Sequence, residues 1–350
     1  MSRTFALTIP QLPGGLRGVV TNAYLLCRIA DTIEDDPALT VAAKDAYHRG
    51  LLDALTGGGS IESFAASLAP RLSHATSDAE RRLVAGSPHV LRVNRSLSTR
   101  QRSAIYRCID VMSTGMAHYE RLRGPGGVAD LDDMERYCYV VAGVVGEMLT
   151  DLFCDYSVVI AEHRAELMRR APHFGQGLQM TNILKDIWED LDEGTCWLPR
   201  DVFHAHRFEL TALTAGVADP GFAAGLHHLV GVAHASLREA VAYVLLIPRH
   251  EVGIRRFLAW AIGLAVLTLQ NIAHNPRFAS GAEVKVSRPV LAALINTTNT
   301  VIRSNTALSA LFSVTAHGLP LQPAEAPWRS GVVFVPPPHD HDRSQRGRIQ

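Results

Sequence analysis

The 350-residue chain has no excess of charge of either sign: 34 Lys and Arg balance 34 Asp and Glu, so the formal net charge is zero. That balance excludes the basic footprint of a nucleic-acid binder and a strongly charged surface anchor. Cysteine is scarce. Cys27, Cys108, Cys138, Cys154 and Cys196 contain no C-x-x-C pair and are odd in number. Neither a zinc knuckle nor a disulfide framework is indicated, which makes a reducing cytoplasm the default expectation. No G-x-G-x-x-G follows a strand-like run, so a Rossmann fingerprint is missing. The opening MSRTFALTIPQLPGG lacks the apolar run of a signal peptide. Long hydrophobic runs are also lacking: the longest, residues 257–269, falls short of the roughly 20 residues of a membrane span. These absences predict a cytoplasmic protein with no signal peptide and no transmembrane helix. Peripheral contact at the inner membrane face is left open.

What is present is apolar and helical. The chain is 47% hydrophobic, enough for a sizeable core. Ala, Leu, Arg and Glu dominate, and apolar residues recur at three and four positions, so the fold class is all-α. In residues 178–188 and just beyond, Leu178, Thr181, Asn182, Lys185, Asp186 and Glu189 form one stripe. Met180, Ile183, Leu184, Ile187 and Leu191 form another, apolar one. Segments 137–153 and 254–273 read as more uniformly apolar helices. Gly57-Gly58-Gly59, Gly124-Pro125-Gly126-Gly127 and Asn275-Pro276 mark loops, none long enough to link domains. A single domain over residues 1–315 is expected. A Pro-rich, flexible tail over 316–350 follows, ending HDHDRSQRGRIQ.

Two acidic segments carry the chemistry. In Asp31-Thr32-Ile33-Glu34-Asp35-Asp36-Pro37, the residues Asp31, Glu34 and Asp35 share one helix face, and Pro37 stops the helix at Asp36. The acids therefore crowd a last turn, whose dipole favours cations, and like charges at i, i+4 add roughly 0.2–0.5 kcal/mol of repulsion each. No Lys or Arg lies between Ile29 and Thr40. The pattern recurs 155 positions later in Asp186, Glu189 and Asp190, before Gly194 as a candidate C′ residue. A solvated acidic helix end explains one such cluster. Two of them point to hard-cation binding. Mg²⁺ (or Mn²⁺) takes oxygen ligands from one or two carboxylates and completes its shell with water and substrate phosphates. No His or Cys stands at ligand spacing for zinc. Between the clusters, Val140-Val141-Ala142-Gly143-Val144-Val145-Gly146 and Ala261-Ile262-Gly263-Leu264-Ala265 are rich in small and branched residues. These pack helices closely or leave room for a hydrocarbon. A metal-held diphosphate at the mouth of an apolar cavity is what isoprenoid chemistry requires.

At these residues the chain resembles the squalene and phytoene synthases, and more closely the squalene synthases, over about residues 2–300. The matching segments are Ser2-Arg3-Thr4-Phe5, residues 24–36, Met112-Ser113-Thr114-Gly115-Met116-Ala117, residues 137–146 and residues 179–190. The resemblance implies a single-domain isoprenoid-synthase helical bundle around a central apolar cavity. It implies a prenyltransferase that condenses two farnesyl diphosphates head to head through presqualene diphosphate. Reduction by NADPH would then give squalene. Dehydrosqualene and phytoene synthases lose a proton instead, and a catalytically silent prenyl-lipid-binding subunit is the alternative from another class.

Roles follow by match to the family's motifs. Asp31, Glu34, Asp35, Asp186, Glu189 and Asp190 fall in the Mg²⁺–diphosphate motifs, and Arg28 matches a diphosphate-contacting arginine. Ser2, Arg3, Phe5, Tyr24, Val141, Gly146, Gln179 and Asn182 match positions lining the substrate region. Tyr137 matches a tyrosine of proton handling or cation stabilisation. Arg3, Arg28, Lys185, Lys285 and Arg288 are the basic candidates for cofactor phosphates. Val284-Lys285-Val286-Ser287-Arg288 resembles a segment near the squalene synthases' NADPH site, with a solvated loop before Pro289 as the other reading. The chain departs from the family in Gly194-Thr195, where Gly-Arg is frequent, in Lys185, which replaces a frequent arginine, and in Gly263-Leu264.

Overall fold

A computed structural model describes residues 3–323, with side chains from Phe5 onward; Ser2, the Arg3 side chain and residues 324–350 lie outside the described residues. The first part of the chain folds into α1 (Arg3–Thr8), α2 (Gly14–Asp35), α3 (Val41–Thr56), α4 (Ile61–Leu68), α5 (Asp78–Ala85), α6 (Ser87–Arg95) and α7 (Thr99–Leu122). Next, α8 (Leu131–Cys138) passes through a π-helical turn, Tyr139–Gly143, into α9 (Val144–Tyr156). After α10 (Val158–Ala161) come α11 (Arg164–Lys185), α12 (Ile187–Asp192) and α13 (Arg200–Ala205). The described chain closes with α14 (Pro220–Leu246), α15 (Val252–His274), α16 (Gly281–Val284), α17 (Arg288–Val301) and α18 (Asn305–Thr315). The fold is all-α. Among the described residues the only β pairing is one parallel bridge, Val128 with Pro199.

The helix ends follow local chemistry. Ser77 with Glu80 and Ser98 with Gln101 form reciprocal capping boxes at α5 and α7. Asp219 accepts from the Gly221 and Phe222 amides at 2.7 and 3.2 Å to start α14. Gly57 ends α3 at φ 87°, a left-handed cap that glycine adopts without penalty. The three loops expected from sequence all fall between helices.

The middle of the bundle is α11, which packs against α9, the π-helical turn, α14 and α15. Two glycines permit backbone contact there. A Cβ on Gly175 would lie 2.0 Å from the Ala142 carbonyl oxygen, and one on Gly146 would lie 2.1 Å from that of Ala171. Gly263 is a packing notch of another kind: its Cβ would meet Leu294 of α17 at 2.7 Å. The second small-residue segment thus serves helix packing, while the first serves both packing and the cavity described below.

The expectation of no membrane-spanning helix is overturned. Three helical stretches have the length and composition to cross a bilayer: Leu131–Tyr156, Pro220–Leu246 and Val252–His274, with mean hydropathies of 1.4, 1.4 and 1.6. The expectation counted uninterrupted apolar residues. The run 257–269 stops at Gln270, yet Gln270 and Asn271 are uncharged and prolong the apolar helix to His274. In this fold, 67–72% of each apolar window is buried within the protein. The tail expected from residue 316 begins by packing on α14: the Gln322 amide donates to the Gly231 carbonyl at 3.3 Å, and His234 Nδ1 lies 2.7 Å from the Pro320 oxygen. The remainder of that tail lies outside the described residues.

The backbone contact at α11 yields a contrast in stability. Gly175→Ala should cost about 3 kcal/mol in urea unfolding, at the upper end for overpacking. Gly18→Ala, with nothing within 4 Å of its Cβ, should be neutral or gain up to about 1 kcal/mol. Equal effects at both positions would contradict the packing described.

Candidate active site

The first acidic motif closes α2, and its four acids divide between two tasks. Asp36 is buried and turned away. It accepts the Ala38 amide at 2.9 Å, the Ser73 amide at 2.7 Å and the Thr76 hydroxyl. Burial opposes its charge, but these hydrogen bonds prevail and hold its carboxyl below the ordinary range. Asp31, Glu34 and Asp35 instead line a cavity. Arg28, one turn earlier, supplies part of the missing counter-charge: Nη1 lies 3.2 Å from Asp31 Oδ2, and Nη2 pairs with Glu80 of α5.

That cavity, about 140 Å³, lies between α1, α2, α7, the α8–α9 segment and α11. Phe5, Met116, Tyr137, Val141, Val145 and Phe174 are among its walls, with Gly146 and Leu178; Gln179 and Asn182 add polar groups from α11. A smaller apolar hollow of about 20 Å³ shares Phe5 and Val145 with it and also contains Tyr24, Ile9 and Phe257. Tyr137 is fixed by ring contacts. Trp197 stacks on it at 3.8 Å between centroids with a 7° interplanar angle, and Tyr119 meets it edge-on at 5.1 Å.

The second motif is bent, where the sequence predicts a continuous helix. α11 ends at Lys185, Asp186 takes φ −100°, ψ 18°, and α12 starts at Ile187. α12 closes with a Schellman turn: the Thr195 amide reaches the Asp190 carbonyl at 2.8 Å and the Gly194 amide that of Leu191 at 2.9 Å, with Gly194 at φ 76°. Lys185 pairs with Asp186. Glu189 Oε1 accepts the Gly281 amide at 2.9 Å, which ties α16 to this motif. Lys285 and Arg288 follow within a few residues, both exposed.

Charges of both motifs bear on Tyr137. Burial raises the phenol's pKa well above 10, and Cys138, Asp35, Glu34 and Asp190 raise it further. Carboxylates of both motifs thus act on one hydroxyl in the cavity wall. The acids also show what the site lacks. Burial and then the charge of Glu120 push Glu34 to about 8. Asp35, whose accessible surface opens into the cavity, is pushed to about 7 by desolvation and Asp31. Asp190 is pushed to about 7 by burial, Asp186 and Glu193. His48 Nε2 is 3.6 Å from Glu34 Oε2, but burial lowers its pKa to about 4, so it is neutral and offers no counter-charge.

Glu34 Oε2 is buried beside the Glu120 carboxyl and the neutral His48 ring, with no cation of the described residues upon it. A hard oxygen-binding cation fits this donor set, since its charge would replace the protons these acids otherwise retain. Among the described residues, no three His, Cys, Asp or Glu side chains are grouped closely enough to hold an ion by themselves. The protein contribution is one or two carboxylates per ion, and water or a ligand's phosphate oxygens must complete the shell.

Of the residues singled out in the sequence, Phe5, Asp31, Glu34, Asp35, Tyr137, Val141, Gly146, Gln179 and Asn182 line one cavity, and Tyr24 lines the adjoining hollow. Asp186, Glu189 and Asp190 lie beyond its walls, on the α11–α12 bend. Ser2 and the Arg3 side chain lie outside the described residues. Phe174, Leu178 and Asn182 recur every four residues, a spacing that could have identified Phe174. Trp197 arrives from a loop and left no periodic signal.

The model of the squalene/phytoene synthase family matches residues 1–290, and the chain belongs to that family. A phytoene synthase of Thermus thermophilus is 40% identical over 119 residues, covering 34% of this chain and 38% of that protein. Squalene synthase ERG9 of Gibberella zeae is 28% identical over 279 residues, covering 79% of this chain and 57% of that protein. The chain thus spans from about two fifths to just over half the length of these two relatives. A solved structure of TcSQS with the ligand BPH1237 superposes with a TM-score of 0.70 at 22% identity, covering 90% of this chain and 87% of that one. That likeness shows a shared all-α isoprenoid-synthase fold.

The raised acids give a pH signature. Glu34, Asp35 and Asp190 have folded-state values above the ordinary carboxylate range, so the folded chain binds more protons than the unfolded one up to about pH 8, and stability falls as pH rises through that window. His48, lowered to about 4, opposes this only below its ordinary value near 6.5. The ligand-free melting temperature should therefore drop between about pH 6.5 and pH 8, and millimolar Mg²⁺ should reverse the drop. A flat profile in this range would contradict the assigned electrostatics.

Proposed function

Starting from that family membership, we propose that the chain is a squalene synthase. It would join two farnesyl diphosphates head to head into presqualene diphosphate and convert this intermediate to squalene. The observation that carries the reading is that Asp31, Glu34 and Asp35 of the first acid motif line one cavity together with Tyr137 and the apolar Phe5, Val141, Val145 and Phe174.

In this reading Arg28, Asp31, Asp35, Asp186 and Asp190 position the departing diphosphate. Mg²⁺, when bound, supplies the positive charge that stabilises it. The C1–O bond of one substrate breaks, and the diphosphate leaves with the electron pair. The double bond of the second substrate attacks the resulting allylic cation, and loss of a proton closes the cyclopropane. Val141, Val145, Phe174 and Leu178 exclude water from the cation. A phenol keeps its proton at neutral pH, and burial and the acids hold the Tyr137 hydroxyl still more firmly in that form. It is therefore a hydrogen-bond donor to developing negative charge, and Trp197 fixes its plane. At about 140 Å³ the cavity is smaller than the roughly 300–1,000 Å³ of typical ligand pockets. A C15 chain must displace Phe5 and Val145 and join the two hollows.

NADPH, when bound, supplies the hydride that separates squalene from dehydrosqualene. Lys285 and Arg288, exposed and following the α16 segment that Glu189 ties to the second acid motif, suit its phosphates. The reading without reductant, a dehydrosqualene or phytoene synthase, draws support from the local likeness to a phytoene synthase.

Incubation of the protein with farnesyl diphosphate and Mg²⁺, followed by mass spectrometry, tests this. Squalene should form with NADPH, and presqualene diphosphate should accumulate without it. An identical hydrocarbon in both tubes would exclude the reductive reading, and release of no diphosphate from C15 or C20 substrates would exclude the enzyme reading. Asp31→Asn and Asp190→Asn should each lower kcat/KM by about 100-fold or more, roughly 2.7 kcal/mol of transition-state stabilisation.

A further inference from the structure

Behind the first acid motif lies a chain of charged groups that does not line the cavity. Lys44 of α3 is almost wholly buried and its Nζ meets Glu120 Oε1 of α7 at 2.7 Å. Glu120 is also the carboxylate that presses on Glu34. Arg123, at the end of α7, has Nη1 3.6 Å from Glu120 Oε2. The other side of the same guanidinium faces the second motif: Nε donates to Thr195 Oγ1, and Nη2 is 3.5 Å from Glu193 Oε2. Thr195 is buried, and its amide closes the turn on the Asp190 carbonyl at 2.8 Å. The backbone repeats the link one residue on, where the Cys196 amide donates to the Gly124 carbonyl at 2.9 Å.

The Glu193 contact is solvent-exposed and contributes little. The contacts to Glu120 and Thr195 are different in kind, because Glu120 stands beside Glu34 of the first motif and the Thr195 amide closes the turn on Asp190 of the second. A guanidinium is a rigid fork able to hold two such partners in fixed geometry, which an ammonium does not do. Its charge also suits the carbonyl end of α7.

We propose that Arg123 is a positioning residue that fixes the α12 acid turn against the end of α7, whose Glu120 stands beside Glu34 of α2, so that both acid motifs can grip one diphosphate. This rests on the proposed diphosphate site and adds to it a group that touches neither substrate nor ion. Losing Arg123 would leave each motif intact and the link between them resting on the Cys196–Gly124 backbone hydrogen bond.

The test is calorimetric binding of inorganic diphosphate in the presence of Mg²⁺, with the ligand-free melting temperature recorded for each variant. Arg123→Met should weaken binding about tenfold, and Thr195→Val by a smaller factor. The double variant should bind no worse than Arg123→Met alone, because both changes break one contact. Thr195→Val keeps the question answerable even where Arg123→Met folds poorly. Wild-type affinity in Arg123→Met, or additive losses in the double variant, would overturn the inference, as would a lowered melting temperature with unchanged affinity. Failure of the wild-type chain to bind Mg²⁺ and diphosphate would instead overturn the site itself.

Discussion

Glu34, Asp35 and Asp190 stand where carboxylates are costly to ionise: Glu34 and Asp190 half-buried, Asp35 at the cavity in the last turn of a helix, and each beside other acids. Burial is the larger cause at each, and neighbouring carboxylates add to it. The chain could have relieved this with lysines. It places one arginine on Asp31 and Glu80, one lysine on Asp186, sets Lys44 and Arg123 on Glu120, and keeps His48 neutral. What remains is an unmet demand for positive charge on one side of an apolar hollow. The arrangement of α2, α11, α12 and the aromatic wall around Tyr137 makes sense as the means of holding that demand open for a cation-bound anion.

The acid motifs were legible because helix periodicity and the stop at Pro37 act locally. Three acids at i, i+3 and i+4 share a face whatever the remaining chain does. The division of labour within the motif was not legible. The sequence leaves Asp36 off the face shared by Asp31, Glu34 and Asp35, and only the approach of Ser73 and Thr76 reveals it as a tie for the following loop. The bend at Asp186 was hidden as well, since the residues on both sides continue the same apolar stripe. Arg123 and Trp197 sit in or beside loops. Their significance comes from what the fold brings to them, and no spacing rule reaches across the 72 positions between Arg123 and Thr195.

The apolar helices show the same limit from another direction. Length, hydropathy and small-residue content do not reveal what an apolar helix faces. Residues 140–146 and 261–265 look alike in sequence, yet the first walls the cavity at Val141, Val145 and Gly146, and the second receives Leu294 at Gly263. The three helices with membrane-like composition owe much of it to packing around α11. Gly146 and Gly175, which let α9 and α11 touch backbone to backbone, bring Phe174 and Leu178 into the cavity wall, so the packing device and the site are built from the same contact.

Diffraction from crystals grown with Mn²⁺ and inorganic diphosphate, using the anomalous signal of manganese, tests the central claim most directly. The account predicts manganese peaks beside Asp31 and Asp35 and beside Asp186 and Asp190, joined by a single diphosphate. Peaks at only one motif, or a diphosphate bound away from both, would contradict it.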